Sequence, residues 1–163
     1  MEWNMNGNYQ QGLRDCEIEL NNIQQWINRN RLDSNVRFLT SYAVIKACGT
    51  VEYIFKQIIY DYLSNGANDE AKTYLNKSII EASFNPSTGQ MYRILEKLNS
   101  EWRVAFENLI KGSSQVGQLN SLVKLRNNFA HGSVITASIN DVRNYYNSGV
   151  WILEKLCEVM VEV

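Results

Sequence analysis

The sequence predicts an all-α protein, an antiparallel bundle of five to six helices. Apolar residues recur at steps of three and four along most of the chain, which is the period of a helix with one buried stripe. Val134-Ile135-Thr136, after Gly132, is too short and isolated to build a sheet, and reads as an extended connector. Glycine, asparagine and the single proline fall between the periodic stretches, where helices stop.

The first helix spans Tyr9 to about Asn28, with Leu13, Cys16, Leu20, Ile23 and Ile27 inward. Residues 28–35 break the pattern, and Asp33, Ser34 or Asn35 can cap the next helix. That second helix, roughly Val36 to Leu63, is the longest and reads as a central pillar on Val44, Cys48, Val51, Phe55, Ile58 and Tyr62. Ser64-Asn65-Gly66 ends it. Asn68 or Asp69 opens a third helix with Ala71, Tyr74, Leu75, Ile79 and Ala82 inward, closed by the loop around Pro86. A fourth runs from about Gln90 to Lys111, burying Met91, Leu95, Leu98, Trp102, Ala105, Phe106 and Leu109. Gly112-Ser113-Ser114 feeds a fifth, Val116 to Ala130. Ser138 with Asp141 forms a capping box for the last, Ile139 to about Glu162, whose inward row is Val142, Tyr145, Tyr146, Gly149, Ile152, Leu153, Leu156 and Met160.

Composition narrows the function. A chain of 163 residues, 45% hydrophobic and 20% charged, is long enough to bury a core without disulfides or metal. Residues 1–8 are polar and read as a flexible segment ahead of a single domain over residues 9–163. A net charge of −1 argues against a broad basic surface, so any nucleic-acid contact must be local. Cys16, Cys48 and Cys157 lie in apolar patterns and read as reduced core thiols. With no leader pattern and no run of eighteen apolar residues, the expected location is cytoplasmic, away from membranes.

Chemistry concentrates in Leu119 to Gly132, Leu-Asn-Ser-Leu-Val-Lys-Leu-Arg-Asn-Asn-Phe-Ala-His-Gly, which holds the one histidine. At about 100° per residue, Leu119, Leu122, Val123, Arg126, Phe129 and Ala130 share one side, with Lys124, Asn127 and His131 in a polar row beside it. An arginine on an apolar face needs either a carboxylate from a neighbouring helix or a face that opens onto an interface. Asn127 and His131 are one turn apart, and Gly132 suits the position just past a helix end. Glu52 lies at the flank of the pillar's stripe. It can pair within its helix with Lys56 or reach across to Arg126.

Arg126-Asn127-Asn128-Phe129-Ala130-His131 resembles the R-x4-6-H signature of the HEPN superfamily, with a polar residue after the arginine, an Ala-His-Gly ending and long helices on both sides. The resemblance implies an all-α HEPN-like bundle that forms a homodimer through the motif region. It further implies a metal-independent endoribonuclease of a toxin–antitoxin or phage-defence system, with a cognate antitoxin or a nucleotidyltransferase as partner. The residue types suit that chemistry: Arg126 to clamp a phosphate, His131 to move protons and Asn127 to orient either. One histidine per chain is short for two proton transfers, and a twofold dimer supplies the second. Glu52, Lys124 and Asn128 are supporting positions, and Ser133 adjoins them. Trp102, Trp151, Tyr145 and Tyr146 read as core or dimer packing rather than base stacking. No cofactor motif is present: phosphate-cradling glycine loops, a nucleophile elbow and close zinc-ligand pairs are all missing from the sequence. The alternative is a non-catalytic HEPN-like module that binds nucleotide or RNA, or regulates through dimerisation.

Overall fold

The computed structural model describes Met5 and residues 7–161. Seven α-helices succeed one another among the described residues: α1 (Gly7–Arg29), α2 (Val36–Ser64), α3 (Asp69–Leu75), α4 (Thr88–Leu98), α5 (Ser100–Ile110), α6 (Ser114–Ala130) and α7 (Ile139–Val161). A π-helical turn, Asn76–Ile80, extends α3. No strand forms among these residues. Of the segment 1–8, Met5 is buried against the core and α1 already begins at Gly7, and the other residues of it lie outside the described set.

The long helices bury the rows that their spacing predicts. Leu13, Cys16, Leu20, Ile23 and Ile27 of α1 are all buried, as are Val44, Cys48, Val51, Phe55 and Ile58 of α2. In α7, Val142, Tyr146, Ile152, Leu153, Leu156 and Met160 join the same core. Helices α1 and α2 are antiparallel: Tyr9 near the start of one donates to Asp61 near the end of the other, and Glu19 pairs with Lys46 at 2.8 Å. Helix α7 also opposes α1, with the Tyr146 hydroxyl donating to the Leu13 carbonyl at 2.7 Å and Gln24 reaching Asn140. The short turn from α6 into α7, with Ser148 bonded to Gln118, makes that pair antiparallel too. So α1 and α6 run one way, α2 and α7 the other. The capping box forms as its residues require: the Ser138 amide donates to Asp141 at 2.9 Å, and the Asp141 amide donates back to Ser138 at 3.2 Å.

Three expectations change. The helix expected over 90–111 is two helices, broken at Asn99, whose backbone is extended (φ −161°, ψ 114°). Its side-chain oxygen accepts from the amides of Glu101 and Trp102, capping α5. On α5, Trp102, Phe106 and Ile110 face inward, while Leu98 at the end of α4 and Leu109 are exposed. The break accounts for seven helices where five or six were expected. Tyr74 is exposed rather than inward: α3 is only seven residues long and none of them is buried. Tyr62 is exposed on one side and sets its ring edge-on to Trp102, 5.0 Å between centroids.

The Glu52–Lys56 pair forms at 2.7 Å, but Lys56 is buried rather than solvated. Its ammonium also donates to the carbonyls of Ala82, at 2.6 Å, and Ile80, at 3.4 Å. Together with Phe84 stacked on Phe55 at 5.0 Å, these bonds bind residues 80–84 to the C-terminal half of α2.

Helices α2, α6 and α7 meet at Gly149. A Cβ there would lie 2.8 Å from Val51 Cγ2 and 3.3 Å from Leu119 Cδ1. Gly149→Ala should therefore destabilise the protein by about 1 kcal/mol, an overpacking penalty of about 2 kcal/mol partly offset by the better helix propensity of alanine. Denaturant unfolding checks this, and adding Val51→Ala should recover part of the loss specifically, giving a coupling term between the two sites.

Candidate functional site

Helix α6 is anchored by Leu119, Leu122 and Val123, which are buried. Its last turn leaves the core: Arg126 and Asn127 are half-buried, whereas Asn128, Phe129, Ala130 and His131 are exposed. The Arg126 guanidinium donates to Asn127 Oδ1 at 3.3 Å. Among the described residues no carboxylate pairs with it, because Glu52 is engaged by Lys56. Arg126 nonetheless lies near Cys48 of α2. Burial pushes the Cys48 thiol up to about 11, against the pull of the Arg126 charge, while Glu52 adds to the rise. The half-buried guanidinium thus lies within electrostatic range of α2.

The end of α6 is built on Gly132, whose φ of +84° suits a residue without Cβ. Its amide donates to Phe129 at 2.9 Å and the Ser133 amide donates to Asn128 at 2.9 Å, the paired bonds of a Schellman ending. The His131 amide is shared between the Asn127 and Asn128 carbonyls at 3.1 and 3.2 Å. These bonds fix the His131 backbone one turn past Asn127 while its imidazole stays in solvent. Lys124, Asn128 and Ser133 are exposed around it.

Two features near this end are not evident from the sequence. On α2, Phe38, Tyr42, Ile45 and Tyr53 are exposed, by 59, 45, 45 and 57%. With Gly49, where an added Cβ would meet nothing within 4 Å, they form an outer row stepping by three and four. Ile45 and Glu52 sit one turn to either side of Cys48, so this row borders the place where Arg126 meets α2. The signal was present as a second apolar row, hidden because α2 is apolar on both sides. The other feature is a groove of about 650 Å³ between the α1–α2 turn and residues 135–140, lined by Arg31, Arg37, Asp33 and Thr40 among others. Its wall carries two arginines and one aspartate.

A family model described as RiboL-PSP-HEPN matches residues 13–162, nearly the whole described chain and all of the motif. The chain belongs to this HEPN family. No individual curated protein and no solved structure matches it. As a HEPN domain it falls in a class with RNase-like or RNA-related roles, whose members commonly dimerise. Its cysteines are free and buried, with all three thiols pushed up by desolvation. No helix among the described residues is long and apolar enough to cross a membrane.

The placement of His131 depends on the left-handed glycine next to it. Gly132→Ala should cost about 1–2 kcal/mol, the usual penalty for Cβ in that conformation, read as a lowered denaturation midpoint. The Asn127–His131 segment should lose amide-exchange protection in the same variant, while α1 and α2 keep theirs.

Proposed function

We propose that this HEPN domain is a metal-independent endoribonuclease of a toxin–antitoxin or phage-defence system, acting on cytoplasmic RNA at a composite site built from Arg126, Asn127 and His131 of two copies. The observation that carries this reading is the half-buried guanidinium of Arg126, which bonds to Asn127 and has no carboxylate partner among the described residues. An arginine so placed is ready for an anion from outside, and a phosphate offers the two-pronged contact it prefers. His131, exposed one turn beyond Asn127, supplies the proton carrier.

In this mechanism the RNA's 2′-oxygen attacks the adjacent phosphorus and the 5′-oxygen leaves. One imidazole takes the 2′-hydroxyl proton, and the second copy's His131 gives a proton to the departing oxygen. Arg126 meets the negative charge that builds on the phosphate oxygens. Asn127 orients the guanidinium through its Oδ1. Lys124 and Asn128 steer the strand, and Arg31 and Arg37 extend its path along the neighbouring groove. Glu52 acts indirectly, by holding Lys56 and with it the edge of α2 beside Arg126. The second copy docks on the exposed row Phe38, Tyr42, Ile45 and Tyr53, an apolar surface that a lone domain leaves in water. A cognate antitoxin or nucleotidyltransferase partner restrains the activity.

Purified protein should cut single-stranded RNA in EDTA, leaving cyclic phosphate ends. Arg126→Ala and His131→Ala should each lower the rate by about 100-fold or more without changing the oligomeric state. Folded protein that binds RNA yet leaves it whole would instead establish a non-catalytic HEPN-like binding or regulatory module. Separately, Tyr42→Glu or Ile45→Glu should convert the dimer to a monomer in sedimentation experiments, with helical content unchanged and cleavage lost.

A further inference from the structure

A second groove shares no lining residue with the motif. It is a groove of about 660 Å³ where three helices converge, lined by Arg14 and Glu17 of α1, Gln115 and Gln118 of α6, and Asn144, Asn147, Ser148, Trp151 and Glu154 of α7. Asn144, Asn147, Trp151 and Glu154 fall on the side of α7 turned away from Gly149, which faces Val51 of α2. The groove therefore opens on the opposite side of the bundle from the outer row of α2. It belongs to neither the dimer surface nor the Arg126 site.

Four carboxamides line one concavity. Ser148, buried, donates its hydroxyl to Gln118 Oε1, which fixes the amide and leaves the Gln118 Nε2 hydrogens without a partner among the described residues. Asn144 and Asn147 make no side-chain hydrogen bond to another described residue, and Gln115 makes only a 3.4 Å contact with its neighbour Ser114. Trp151, half-buried, presents part of its indole to the groove, with Lys155 held over the ring at 5.5 Å. Glu154 completes the wall, its carboxyl raised by desolvation more than neighbouring Lys155 lowers it.

Carboxamides offer a donor and an acceptor side by side, the pattern that base edges present, and an indole offers a flat stacking surface. A carboxylate accepts from ring and exocyclic N–H groups, while Arg14 at the rim can meet a phosphate. A volume of this size holds a mononucleotide. We propose that this groove is a binding site for a purine nucleobase, entering either as a free mononucleotide or as an unpaired base of RNA. Trp151 stacks on the base, Gln118, Asn144, Asn147 and Glu154 read its edge, and Arg14 sits beside the phosphate. The site needs neither cleavage nor the dimer, so it stands whether or not the nuclease reading does.

Isothermal titration of the intact protein with GMP, AMP, UMP and a purine-containing trinucleotide tests it. Saturable purine binding is expected, weakened about tenfold or more by Trp151→Leu, the loss expected from removing one base–aromatic stack, and likewise by Asn147→Ala at an exposed position that the fold does not need. Arg126→Ala should bind GMP and AMP unchanged, which separates this site from the motif. A trinucleotide that binds far more tightly than either purine nucleotide would identify RNA as the source of the base, and equal affinities would identify the free nucleotide. No heat at millimolar nucleotide, equal binding of UMP, or binding untouched by Asn147→Ala in folded protein would overturn the proposal.

Discussion

The close approach of three helices at Gly149 is the constraint on which the rest of the architecture depends. With no side chain on α7 at that point, Val51 of α2 and Leu119 of α6 can both press against the α7 backbone. Leu119 lies two turns before Arg126 on the same side of α6, so its seat sets the rotation of the whole helix. That rotation determines where the polar row ends up. Leu122 and Val123 hold α6 in the core as far as the turn before Arg126, and beyond it the helix runs out over the edge of α2. The half-buried state of Arg126 is thus a consequence of packing at a glycine some twenty residues further along the chain.

Electrostatics at this edge depend on which partner is nearest. Glu52 had two cations within its conceivable reach, and Lys56 is its neighbour one turn on within the same helix. Lys56 is fixed in turn by two carbonyls of residues 80–82, so moving Glu52 to Arg126 would strip a buried ammonium of its counter-charge. The carboxylate stays with the lysine, and the guanidinium is left to Asn127. A buried charge in one part of the fold therefore keeps another charge available.

Much of this was legible in the residues, for identifiable reasons. Helices α1, α2 and α7 are long and keep one phase, so the rows named by their steps of three and four are buried, apart from Tyr62 and the half-buried Tyr145, though α2 also buries Ala43, Ala47, Ile54 and Ile59. The capping box at Ser138 and the glycine ending at Gly132 are local codes, which need no knowledge of the fold. Asn99 stayed hidden because the apolar pattern passes through the break with little change: Leu95, Trp102 and Phe106 all face the core from either side of it. The outer row of α2 was invisible for the opposite reason, since periodicity reports the sum of two apolar sides. In the motif, the neighbourhood of Arg126 and Asn127 comes from adjacency alone, but whether a carboxylate met the arginine depended on tertiary contacts. The groove at Trp151 draws on three helices separated by about a hundred residues, and no local pattern announces such a meeting.

The tether at Lys56 has one more effect. By holding residues 80–84 against the rear half of α2, it sets one end of the exposed row from Phe38 to Tyr53, roughly 22 Å of helix. Anything laid along that strip meets a wall at one end, so it cannot slide by a turn and still make the same fit. A covered segment thereby acts as a ruler, setting the register of whatever lies beside it.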